Sequence, residues 1–165
     1  MFIAHLPAGY LLTSTIQTRS RNQSLSLLAT GLAASVLPDA DLLWFYLVDN
    51  RQHVHHAYVT HMPAFWIGLA GVAWLIAKAA RITSAPLYIG VALANLMLHM
   101  VLDSIAAEIK WLWPLSNAEF GLFHIPAVHG WWVWNFVLHW TFLLEVALCT
   151  AALLLLARHI RPAPE

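Results

Sequence analysis

The chain has 165 residues, of which 61% are hydrophobic and only 10% charged, with a mean hydropathy of +0.68. A soluble domain carries about 25% charged residues, and no such domain could bury this much apolar surface, so a water-soluble globular protein is excluded. Eight basic and eight acidic side chains cancel, which leaves no electrostatic basis for a nucleic-acid partner.

In chain order, residues 1–16 (MFIAHLPAGYLLTSTI) and 24–38 (SLSLLATGLAASVLP) are apolar but short, and predict one or two N-terminal helices. No basic segment precedes the first, and Pro7 and Gly9 interrupt it, so a cleavable signal peptide is not expected. The polar connection 19–22 separates the two helices. Pro38 ends the second, because the residue before a proline is pushed out of helical geometry. Three later segments reach the ~20 apolar residues that a membrane span needs: 62–80, 86–106 and 131–157. Pro63 and Pro86 sit where first-turn prolines belong. Between the last two segments, 107–130 holds Pro114, Gly121, Pro126 and Gly130, and reads as a loop that caps something. Cys149 is a small buried hydrophobe with no partner for an internal disulfide. The tail 161–165 (RPAPE) reads as a frayed terminus. The expected fold is all-α: an integral membrane helical bundle with three firm spans and one or two short N-terminal helices, in one domain over 1–165.

Arg19/Arg21, Lys78/Arg81 and Arg158/Arg161 fall at alternate connections, whereas 38–61 and 107–130 carry only Arg51 and Lys110. The positive-inside rule puts the paired sites in the cytoplasm and the 38–61 connection on the opposite side. Trp44, Trp111, Trp113, Trp131, Trp132 and Trp134 cluster near segment ends, as an interfacial aromatic belt does.

The chemistry concentrates in residues 37–61, LPDADLLWFYLVDNRQHVHHAYVTH, which hold three aspartates and four histidines. Asp39 and Asp41 are two apart, so in an extended segment both carboxylates point one way. A polar loop or a helix N-cap is the plainer use of such a pair. His53, His55, His56 and His61 follow in the same connection, and neutral imidazole is the commonest metal-binding side chain. Farther on, Asn95, His99 and Asp103 are spaced four apart and share one face of an otherwise apolar helix. Ionisable groups in a span mark a functional interior face, and His99 with Asp103 can hold one metal between them. Asn135, His139 and Glu145 could line the same polar cavity, or Glu145 could pair with a neighbouring helix. His124 and His129 in the capping loop are candidate late ligands or acid/base groups. His5 is undistinguished by spacing.

Taken together, these residues resemble the YdjM-like, inner-membrane-associated metal-dependent hydrolases of bacteria. That family's pattern is an early histidine, then L-P-D-x-D, H-R-x-x-T-H-S, H-x-x-x-D and a downstream W-P. Here it reads His5, LPDAD (37–41), HAYVTHM (56–62), HMVLD (99–103) and WP (113–114). Ala57 stands at the family's Arg and Met62 at its Ser; loss of the Arg removes a fork-shaped donor suited to phosphate or carboxylate. The resemblance implies an inner-membrane location and a metal-ligand set of His5, Asp39, Asp41, His56, His61, His99 and Asp103. It promotes His5 to a ligand and selects His56 over His55 and His53.

Four histidines and three aspartates exceed one four-coordinate zinc with an open position and suit two ions ~3.5–4 Å apart. Zinc fits first, with Mn or Fe as alternatives. The expected activity is metal-dependent hydrolysis of a phospholipid or other lipid phosphoester, because the site lies at membrane helix ends under a Trp-rich loop. Asp41, His61 and Thr60 are the expected catalytic residues, Thr60 as a hydroxyl that orients His61 or the attacked group. The alternative is a non-enzymatic membrane protein that binds or transports a metal ion, which calls for a polar lane through the bilayer.

Overall fold

Ser24 begins the second helix by accepting a hydrogen bond from Leu27 N–H, and prolines 63 and 86 occupy first-turn positions of two others. The elements of this computed structural model are α1 (His5–Ser20), α2 (Leu25–Val36), α3 (Leu42–Leu47), α4 (Pro63–Ala79), α5 (Ala85–Asp103), α6 (Trp132–Val137) and α7 (Phe142–Ile160). It describes Met1 and residues 3–160; Arg161 and the 161–165 tail lie outside the described residues. Among those described there is no strand, only an isolated bridge between Ile109 and Phe120.

Two helices, α5 and α7, are long and apolar enough to cross a membrane, rather than three. The segment 62–80 forms α4, at 17 residues a shorter apolar helix. The segment 131–157 is split into α6 and α7. At the break, His139 Nδ1 and Thr141 Oγ1 bond to each other at 2.9 Å, and such local side-chain bonding competes with helix continuation. A third crossing would come from α2 together with Pro38–Leu47, a pair bent by 51° at Pro38.

The bundle buries an apolar cluster of Ala34, Trp66, Leu96, Met100 and Ile109 beside a comparable set of polar side chains, and leaves most of its outer surface apolar. α1 buries His5, Gly9, Thr13 and Gln17 at a spacing of four, and α5 buries Val91, Asn95, His99 and Asp103 at the same spacing. These faces meet each other and α2, while α4 packs on α5 and α7 on α1. α7 buries only Glu145 and Ala152 and exposes Leu143, Val146, Leu153 and Leu154; a lipid-facing helix has this pattern. Cys149 on α7 is half-buried rather than buried.

The α1–α2 crossing depends on small residues, as close helix contacts in membranes do. A Cβ at Gly31 would lie 2.0 Å from Thr13 Oγ1, and one at Gly9 would lie 2.4 Å from Ser35 Cβ. Gly31→Val is expected to destabilise the protein by about 1–3 kcal/mol. Gly68→Val, where no atom lies within 4 Å of the added Cβ, is the control. Thermal unfolding in detergent checks this, and equal midpoints for the two variants would contradict the close crossing.

The helix directions sort the chemistry by end. α1 and α4 begin where α2 and α5 finish, and His5, Asp39, His61, His99 and Asp103 all lie at that end. Arg19, Lys78 and Arg158 occupy the last turns of α1, α4 and α7 at the other end. Over the site end, the 107–130 loop folds back on the end of α5, with Leu122 and Phe123 N–H donating to the carbonyls of Ser104 and Ile105. Gly121 permits that approach, since a Cβ there would sit 2.7 Å from the Ala107 carbonyl oxygen.

Candidate metal centre

Three short turns aim the loop ligands. Pro38 starts a 3-10 turn over Pro38–Asp41, so the extended geometry expected for PDAD does not form. The two carboxylates therefore take different places instead of facing one centre. Two more 3-10 turns, His55–Ala57 and Val59–His61, carry the histidines. Trp66 Nε1 of α4 donates to the Thr60 carbonyl at 2.7 Å and anchors the second of them.

Four ligand atoms converge beneath these turns: His61 Nε2, His99 Nε2, Asp39 Oδ1 and Asp103 Oδ2. His61 lies 3.8 Å from Asp39 and 3.7 Å from Asp103; His99 lies 3.6 Å and 3.0 Å from the same two. Donors at 2.0–2.1 Å around a tetrahedral zinc stand about 3.3 Å apart, and these four His–Asp separations are of that order. Both imidazole Nε2 atoms and Asp103 Oδ2 are buried yet form no hydrogen bond. Buried polar atoms without partners are costly, and a cation would satisfy all of them.

The cluster is larger than one tetrahedron. His55, His56 and His61 form one group able to hold a metal ion, His5, His99 and Asp103 a second, and Asp39, His61 and His99 a third. Asp39 Oδ1 reaches His55 Nε2 at 3.3 Å, and Asp103 Oδ2 reaches His56 Nε2 at 3.7 Å. Both carboxylates thus touch more than one group, as bridging ligands would. The His5 ring stacks on His99 with centroids 3.8 Å apart, and its Nε2 is 3.1 Å from Asp103 Oδ1, which also receives the Met1 amino group at 2.6 Å.

Asp41 stands behind the imidazoles. Its carboxylate lies 2.9 Å from His61 Nδ1 and 2.8 Å from His55 Nδ1, and it accepts the Thr60 hydroxyl. A carboxylate on Nδ1 turns Nε2 toward the centre and makes it a better donor. The Ser35 carbonyl does the same for His99: a carbonyl can only accept, so Nδ1 donates to it at 2.8 Å and Nε2 keeps its lone pair. Burial opposes charge on His55, but hydrogen bonds to Asp39 and Asp41 and their charge outweigh it and raise its pKa to about 9. His56 is pushed down to about 3, by burial first, which the Asp103 charge offsets only in part.

The seven residues expected as ligands lie in one cluster, Asp41 on the Nδ1 side of His61. His55 joins them although the family pattern passed over it, and its one signal was the adjacent His-His pair. His53 points away to Asp49 at 2.7 Å. Glu145 accepts the backbone N–H groups of Ile3 and Ala4 and so seats the segment leading to His5. Asn135 receives Val128 and His129 N–H and ties the roof loop to α6. His124 lines a cavity beside His56 but is exposed, and His129 is exposed as well. Asn95 donates to Thr13 Oγ1 and the Val91 carbonyl, one turn below His99.

No curated protein and no solved structure matches the chain. The YdjM inner membrane protein family matches residues 1–163, a span that takes in every group of the His/Asp cluster and both long apolar helices. By that match the chain belongs to the YdjM family of inner membrane proteins.

Proposed function

We propose that the protein is a membrane-bound metal-dependent hydrolase that holds two ions, zinc before Mn or Fe, and cleaves a phospholipid or other lipid phosphoester. The observation that carries this reading is the convergence of buried, unbonded His61 Nε2, His99 Nε2 and Asp103 Oδ2. When bound, such ions lower the pKa of water and neutralise charge on a phosphoryl oxygen. The chain itself orients the ligands through Asp41 and the Ser35 carbonyl. Thr60 acts through Asp41 as a positioning residue, since its hydroxyl is spent on that carboxylate. Two cavities of about 430 Å³ flank His56, and their mainly apolar walls favour a lipid-borne ester over a soluble one.

The test is product release from mixed phospholipids by the full chain in nanodiscs, with and without EDTA. The expected result is hydrolysis that EDTA abolishes and zinc restores. A metal-loaded protein that cleaves no lipid phosphoester would sink the reading.

The competing reading is a metal carrier, supported by the buried polar row of Asn95, Thr13 and Gln17 beneath the cluster. Against it, the donors of that row are already taken, Asn95 by Thr13 and Gln17 by the Ser24 carbonyl. Asn135 and His139 also belong to the roof, not to a lane.

The cluster is assigned to the non-cytoplasmic face, because Arg19, Lys78 and Arg158 gather at the opposite end. On a Cys149→Ser background, a cysteine placed at Asn50 should react with an impermeant reagent only from the non-cytoplasmic side. Reaction only from the cytoplasmic side would reverse the orientation.

A further inference from the structure

One of the two cavities beside His56 has an unusual lining. It is lined by Asp39, His55 and His56, by the aromatic side chains of Phe45, Tyr46 and Trp132, and by Arg51, which is exposed. Arg51 is the one Lys or Arg side chain that lines either cavity beside His56. Two other cations stand at this end of the bundle and both are paired: Lys110 is 3.5 Å from Glu119, and the Met1 amino group, which also lines this cavity, is 2.6 Å from Asp103. Arg51 has no carboxylate within salt-bridge distance among the described residues, and its guanidinium lies 4.8 Å from the centre of the Tyr46 ring. An aromatic face holds a guanidinium in place without neutralising its charge.

The backbone reinforces this placement. Asn50 and Arg51 both have positive φ, 48° and 63°, a conformation that costs an ordinary L-residue about 1–2 kcal/mol. Arg51 N–H closes the turn on the Phe45 carbonyl at 3.1 Å, which folds the connection back over α3. The turn therefore returns Arg51 to the cavity formed by that helix, beside the very aromatic residues that make its wall.

We infer that Arg51 binds the anionic group of a phosphate-bearing amphiphile whose apolar part lies against Phe45, Tyr46 and Trp132, with the phosphoryl group presented to the Asp39/His55/His56 side of the cluster. A planar guanidinium matches two phosphate oxygens at once, and the aromatic wall has no use for a small hydrophilic anion. This assignment rests on the lipid phosphoester reading for its place in a reaction, but the binding it describes does not require turnover.

The test uses dodecylphosphonate, whose C–P bond is not hydrolysed, and inorganic phosphate. Each is titrated calorimetrically into the full chain in neutral detergent, as purified and after zinc loading. Dodecylphosphonate should bind wild type at least ~10-fold tighter than inorganic phosphate. Arg51→Gln should weaken dodecylphosphonate binding by ~10–100-fold, the loss of a charge-assisted pair, with Arg51→Lys in between and metal content unchanged in both. Phe45→Ala should weaken dodecylphosphonate and leave inorganic phosphate unaffected. Equal binding by wild type and Arg51→Gln, or no binding by wild type, would overturn the inference. Inorganic phosphate bound as tightly as dodecylphosphonate would overturn the amphiphile. Arg51-dependent binding in a protein that hydrolyses no lipid phosphoester would uphold this inference while removing the hydrolase reading.

Discussion

The His99→Ala protein is expected to keep at most one of two metal ions and to lose lipid phosphoester hydrolysis by on the order of 10³-fold or more. His99 belongs to two of the three ligand groups and supplies a buried Nε2 that nothing else in the chain replaces. A metal ion contributes several kcal/mol of transition-state charge stabilisation, and each ~1.4 kcal/mol is a tenfold change in rate. His129→Ala is the control, because His129 is exposed and belongs to none of the ligand groups or cavity linings. Metal analysis and turnover on both variants, with circular dichroism to confirm helix content, check the expectation. A His99→Ala protein with full metal content and wild-type turnover would remove His99 from the ligand set.

Asp41→Asn should weaken metal binding by ~10–100-fold without removing a group that faces the centre. The wild-type carboxylate accepts the Thr60 hydroxyl, bonds His61 Nδ1 and lies 2.8 Å from His55 Nδ1. An amide has one acceptor oxygen and two N–H donors, so it cannot serve all three, and one imidazole must turn or change tautomer. Thr60→Val removes a single bond to the same carboxylate. It should retain both ions and lower hydrolysis by about 10-fold, the low end of the range for outer partners. Competitive chelation measures the first effect and product release the second. Unchanged metal affinity in Asp41→Asn would mean that the imidazoles hold their orientation without it.

These assignments were legible in the sequence to very different degrees. His99 and Asp103 could be paired from spacing alone, because a helix places residues four apart on one face whatever surrounds it. His5 could not: it lies 94 positions from His99 in the sequence, and only the family pattern joined the two before the fold stacked their rings. The separate places of Asp39 and Asp41 were hidden because Pro38 is compatible with both an extended segment and a 3-10 turn, and the choice reverses where the second carboxylate goes. His55 and His56 are chemically identical neighbours, so no local signal told how both rings would be used. The break before α7 was obscured because 131–157 is mostly apolar, and the His139–Thr141 bond at the interruption is one that hydropathy does not register. Likewise Arg51 looked like an ordinary loop cation until two left-handed residues returned it to the cavity.

The central claim is that the converging His and Asp side chains hold metal, and elemental analysis of the purified full chain tests it most directly. After dialysis against metal-free buffer in detergent, the wild type should carry about two transition-metal ions per chain, with zinc in the majority. A folded wild-type chain that remains metal-free after incubation with zinc, manganese and iron would contradict the account.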